Sequence, residues 1–355
     1  MRILLIILVL SFPLYASLDG LNQTSLDKEK IAGFSRGCCN LAPHPFLNTL
    51  GLFQFVDKDN LGPHHYGQKP KKDSMGLVYT CAAGFVDIGH LRDNADWTAK
   101  LYAGLKTWVG SGQSVPVRNE GGYKSRSIYF PKLSPEKKSA LSNKDYADLA
   151  VSVAFNLATI HEITTAFDIA VSFPVTMVMY ERASSFSVED QYSNLLGGII
   201  GARALLSNSS YEEEVERGLK LTLENFGAKG RDESIKIHEE LHGRWWNRDP
   251  LARFKTVLKR NYGYKGRILP VRAENINGCQ DVAPSALYAP EKLTQGQDVN
   301  DYFELRGEVN RKLRKRLAEL GAPVGTYLTQ KEFPRIIDLI EMRFEAEINQ
   351  IKSKN

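Results

Sequence analysis

Three short strings place ionisable side chains where a helix would make them neighbours. In FVDIGHLRDNADW, residues 85–97, Asp87, His90 and Asn94 stand at i, i+3 and i+7, so one helix face presents a carboxylate, an imidazole and an amide. Such a face suits a divalent metal. In the second string His161 and Glu162 follow the uncharged run Leu149–Ile160, and burying an unpaired carboxylate costs several kcal/mol, so this pair needs a metal or the Asp87/His90 face as company. His161 shares a face with Thr165 and Asp168, whereas Glu162 points about 100° away. In the third string, FSVEDQYSN at 186–194, Glu189 and Asp190 fall in a first helical turn after a serine cap, with Asn194 four residues beyond Asp190. Carboxylates there also complement the helix dipole without any further role.

The chemistry these groups support is metal-assisted hydrolysis. His90, His161 and Asp87 are the expected ligands, zinc the expected ion, and Glu162 or Glu189 the general base acting on a metal-bound water of lowered pKa. Two alternatives use other residues. His238-Glu239-Glu240-Leu241-His242 is a literal HExxH, the zinc-peptidase pattern of two histidines one turn apart with a glutamate that activates water. Its flanks are polar and Glu240 adds a charge between the ligands, which favours a solvated surface helix. Cys81 with His90 would make a cysteine hydrolase if the thiol were free. A third reading is non-catalytic: an envelope or glycan-binding protein in which the same groups form a satisfied buried network. Trp245-Trp246 could stack on a sugar in that case, although core packing is the stronger expectation. The basic run Arg311–Arg316 reads as the solvated face of a helix, with anionic lipid or cell-wall contact second.

The elements that must position these residues are mostly helical in pattern. The 355 residues include 46 Lys+Arg against 41 Asp+Glu and are 43% hydrophobic, which is ordinary globular composition and excludes a disordered chain. A net charge of +5 without a concentrated basic face gives no reason to expect nucleic acid. Met1-Arg2, the apolar run Ile3–Phe12 and the small-residue exit to Ser17 read as a secretory signal peptide over 1–17, too short for the roughly 20 apolar residues of a membrane span. A periplasmic or secreted protein acting on a cell-envelope component follows. In that oxidising setting Cys38, Cys39, Cys81 and Cys279 are expected to form two disulfides, with Cys81 in one and three pairings open.

Residues 18–75, broken by Pro43, Pro45, Pro63 and Pro70, read as an irregular segment wrapped on a core domain at 76–290. Apolar spacing predicts one helix over Leu77–Trp108, a short strand at Ser127–Phe130, and a helix buried nearly all round over Asp145–Ala170. A capped helix carrying Gly197-Gly198 follows, then amphipathic helices at 211–225 and 233–246. From 296 to 355 the stripe Val299, Tyr302, Leu305, Val309, Leu313, Leu317 faces a second stripe, Phe333, Ile336, Ile340, Phe344, across Gly321 and Pro323, as in a helical hairpin. The expected fold class is therefore mainly α, a single helical domain with an irregular N-terminal segment and a C-terminal helical hairpin.

The strings YTCAAGFVDIGHLRDNADWT (79–98), IHEIT (160–164), FSVEDQYSNLLGGIIG (186–201) and GRWWN (243–247), with Cys38-Cys39 upstream, resemble an uncharacterised family of exported bacterial proteins built on a domain of unknown function. The resemblance covers residues 36–280 and carries neither reaction nor substrate. It implies an order among the candidates: Asp87, His90, Arg92, Asp93, His161, Glu162, Glu189, Asp190 and Asn194 lie within the matching strings, and the HEELH string does not.

Overall fold

The computed structural model describes Leu41 and residues 55–67, 73–117, 123–166, 186–246 and 266–352. The leader at 1–17 and the Cys38-Cys39 pair lie outside these residues. Among them the fold is mixed, with eight α-helices and eight strands in three antiparallel sheets, which corrects the expectation of a mainly α protein.

The first correction falls on Leu77–Trp108. Its opening residues form a hairpin, β1 (Leu77–Thr80) with β2 (Gly84–Asp87), and only then does α1 (Ile88–Trp108) begin. All eight strand residues are buried, and a short run buried on both faces has no alternation to distinguish it from a buried helix. Gly84 makes the turn possible. It has φ +70°, and a side chain there would overlap the Val271 carbonyl.

Helix α1 packs between α3 (Asn143–Ala166) and α4 (Asp190–Leu205), and these three form the centre of the molecule. A short α2 (Pro135–Ser139) precedes them. Helices α1 and α4 run parallel and in register: Asn94 meets Asn194, Gly197 lies against the Leu91 backbone, and Gly201 against that of Ala95. Helix α3 runs the other way, with Thr159 bonded to Gln191 at one end of α4 and Val151 against Gly198 further along. Helices α5 (Tyr211–Asn225) and α6 (Arg231–Glu240) flank this core.

The second correction falls on the C-terminal hairpin. Strands β3 (Ser114–Val117), β4 (Tyr123–Tyr129), β7 (Glu304–Val309) and β8 (Tyr327–Leu328) form one antiparallel sheet in that order. The stripe from Val299 to Leu317 is buried throughout, but it comprises a 3-10 turn at 299–301, the alternating strand β7 and helix α7 (Arg311–Glu319). Only the second stripe is one helix, α8 (Phe333–Lys352). The sheet rests on α3, where the Tyr123 hydroxyl donates to the Ile160 carbonyl and accepts from Thr164.

Two further ties hold segments around the core. Cys81 and Cys279 form a disulfide across a sequence separation of 198, joining the β1–β2 turn to the segment that carries β5 (Arg267–Ile268) and β6 (Leu287–Tyr288). Buried Arg92 donates to the carbonyls of Leu61, Gly62 and Pro63, while Asp96 accepts from His64 Nε2 at 3.0 Å. Both residues thus bind the 61–67 segment to α1. Among the described residues no helix is long and apolar enough to cross a membrane.

Candidate functional site

The parallel register of α1 and α4 brings the first and third strings together. His90 Nδ1 stands 3.4 Å from Asp190 Oδ1, with the imidazole 17% exposed and the carboxylate 4%. One turn further, Asn94 Nδ2 donates to Asn194 Oδ1. The two rungs repeat because both pairs are spaced by four residues, one helical turn.

Local structure around this seam is built by carboxylates. Asp87 is the N-cap of α1 and accepts from the N–H groups of Gly89 at 2.6 Å and His90 at 3.3 Å, which satisfies donors with no partner inside the helix. Its own N–H donates to Ser193 Oγ on α4 at 2.9 Å. Asp190 Oδ2 accepts from the Ser187 N–H at 3.0 Å, and the Ser187 hydroxyl donates to Glu189 Oε2 at 2.6 Å. Phe186 precedes this turn at φ 54°, a left-handed conformation that a bulky residue adopts only at a cost. The buried Glu162 carboxylate offsets that cost by accepting the Phe186 N–H at 2.7 Å.

Glu189 is the electrostatic outlier. It has no solvent exposure, and its carboxyl is pushed up to about 7, first by burial and then by the negative charge of Asp87. The Ser187 hydroxyl and His90 pull the other way. Three buried atoms in these residues, His90 Nδ1, Glu189 Oε1 and Gln191 Nε2, have no hydrogen-bond partner among the described residues. Each such atom is ordinarily a loss of about 1–3 kcal/mol, and folded proteins retain few of them.

Residues 42–274 match the family model described as Protein of unknown function (DUF4056). The chain belongs to that family. No curated protein and no solved structure matches it. The DUF4056 span takes in β1–β5 and α1–α6, hence every residue of the His90 seam, and ends before β6, β7, α7, β8 and α8.

Within this DUF4056 chain, Asp87, His90, Glu189 and Asp190 are gathered at one end of the α1/α4 pair, and Glu162 reaches them through the Phe186 turn. His161, next to Glu162, lies on the exposed side of α3. Among the described residues no group of three or more His, Cys, Asp or Glu is placed to hold a metal ion. Asp190, Ser187 and Gln191 belong to the site without having been singled out as its working groups. The equal four-residue spacing of His90/Asn94 and Asp190/Asn194 is the signal that points to the first of them.

The other candidates have different fates. Cys81 is disulfide-bonded, so the cysteine-hydrolase reading loses its nucleophile. Helix α6 ends at Glu240, which leaves His242 beyond it and dissolves the one-face geometry that HExxH needs. His238 is buried and not on a solvated face: its ring stacks on Trp246 at 4.2 Å, and Nε2 donates to the Leu41 carbonyl. Trp245 and Trp246 are core residues, packed with Tyr79, Phe85 and Ile237.

Proposed function

We propose that this protein is a hydrolase whose acid–base chemistry is centred on His90, Asp190 and Glu189. The observation that carries this reading is a partly exposed imidazole facing a buried carboxylate at 3.4 Å, beside a wholly buried carboxyl raised to about 7. His90 takes the proton from an attacking water. Asp190 orients the ring and stabilises the imidazolium that results, and Glu189, changing protonation near neutral pH, moderates the negative charge around it. Asp87 and Glu162 position the two helix starts. The leader-like N-terminus and the disulfide support an exported protein acting on a cell-envelope substrate.

If a zinc ion were bound here, His90 and a carboxylate of Asp87, Asp190 or Glu189 would be its protein ligands, two donors and not the usual three, and it would supply a lowered pKa to a bound water. The test is a panel of ester, amide, glycoside and phosphoester substrates, run with wild type, His90→Gln and Glu189→Gln after elemental analysis of protein purified without a metal-binding tag. Expected is hydrolysis of one class and a loss of about 100-fold or more in His90→Gln. Full activity in folded His90→Gln, or none in wild type on every class with and without added zinc, overturns the proposal. One observation favours a second, non-catalytic reading: Asp87 and Glu162 are already engaged as backbone acceptors. Under it, His90→Gln changes stability alone.

A further inference from the structure

Away from the His90 seam a cavity opens between α3, α4, α5 and β6. Its volume is about 620 Å³, inside the roughly 300–1,000 Å³ range of small-molecule sites. Arg203 on its wall is thirteen residues from Asp190, about 20 Å along α4. Antiparallel α3 contributes Lys144, Asp148 and Val151 from its first turns, far from Glu162. The inference below is independent of the hydrolase reading.

The walls are mostly apolar. Val151, Leu196, Ile199, Leu206, Phe226 and Leu287 line it. Leu206 is 40% exposed and Tyr288, at the lip, 64% exposed, so water meets large apolar side chains at the opening. An apolar surface left open in this concave form is covered favourably by an apolar ligand at about 25 cal/mol per Å² removed from water.

The charges decide the ligand's head group. Lys144 and Asp148, one turn apart on α3, form an ion pair at 2.5 Å and neutralise each other. Arg203 is the remaining charged residue of the lining, and its guanidinium has no ion pair or hydrogen bond among the described residues. The wall therefore has one uncompensated positive charge whose planar fork fits a carboxylate on two parallel N–H donors. A nucleotide or other polyanion finds one unpaired cation among the described lining residues.

We infer that this cavity binds an amphipathic monocarboxylate, with its hydrocarbon body between α3, α4 and α5 and its carboxylate on Arg203. The experiment titrates the intact protein with dodecanoate, and separately with dodecanol, below their aggregation limits, followed by calorimetry and by displacement of a fluorescent fatty-acid probe. Expected is saturable binding of dodecanoate at one site per chain, with dodecanol weaker. Arg203→Gln, a change at an exposed position, should weaken dodecanoate about tenfold, equivalent to about 1.4 kcal/mol, and leave dodecanol unchanged. Ile199→Trp, at a half-buried position on the wall, should abolish both. His90→Gln should bind as wild type does, which separates this site from the acid–base seam. Absence of saturable dodecanoate binding overturns the inference. So does equal binding of acid and alcohol with Arg203→Gln indistinguishable from wild type, or binding that survives in folded Ile199→Trp.

Discussion

Gly197 of α4 lies directly against the Leu91 carbonyl of α1, and a methyl group on it would overlap that oxygen. The close approach of the two backbones here sets the register in which His90 faces Asp190, because a wider spacing would pull the shorter polar side chains apart.

Gly197→Ala decides between two opposing effects. Alanine in a helix interior is ordinarily favoured over glycine by about 1 kcal/mol. Overlap with backbone atoms, which cannot move aside as a side-chain tip can, costs about 1–3 kcal/mol or more. The overlap wins, so urea denaturation should show a net loss of stability and any hydrolytic activity should fall with it. A stabilised Gly197→Ala protein would show that the helices are not held this closely.

Glu189 makes a pH prediction with a definite sign. Its folded-state pKa of about 7 lies above the ordinary 4.5, so the folded protein holds a proton that the unfolded chain has already released. The associated stability is fully present below about pH 4.5 and is lost as the pH rises through 7, by at most about 3 kcal/mol. Glu189→Gln carries no such proton. Wild type minus Glu189→Gln in unfolding free energy should therefore decline from pH 4.5 to 7.5, and a flat difference would refute the raised pKa.

The two histidines of HEELH should behave unlike each other. His238 fills buried space against Trp246 and Leu41, so His238→Ala should lower stability by about 2–4 kcal/mol, the range for emptying a core position. His242 is exposed, and His242→Ala should change stability by less than about 0.5 kcal/mol. Thermal melts of the two single variants check this. Equal effects would contradict the burial of His238.

Much of the core was legible in the chain. The apolar spacing that identifies α3 and α5, and every member of the stripe Val299, Tyr302, Leu305, Val309, Leu313 and Leu317, corresponds to buried residues. The element type was not legible in that stripe. A period of three to four residues over a 3-10 turn, a strand and a helix imitates one long helix, and β7 became a strand through pairing with β4, whose residues lie about 180 positions earlier. Backbone hydrogen bonds to a distant partner leave no mark on local spacing.

The site divides in the same way. Side-chain chemistry and local helical turns determined that Asp87 and His90 belong together, that Glu162 inside an apolar run needs a partner, and that Glu189 and Asp190 begin a helix. The tertiary structure decided who meets whom: Asp190 and not His161 faces His90, Glu162 serves the Phe186 backbone, and Cys81 pairs with Cys279. The physical reason is range. Hydrogen bonding within a helix acts over four residues and is written in sequence order, whereas the contact of α1 with α4 is set by glycines whose neighbours are a hundred residues away and is defined only when the helices pack.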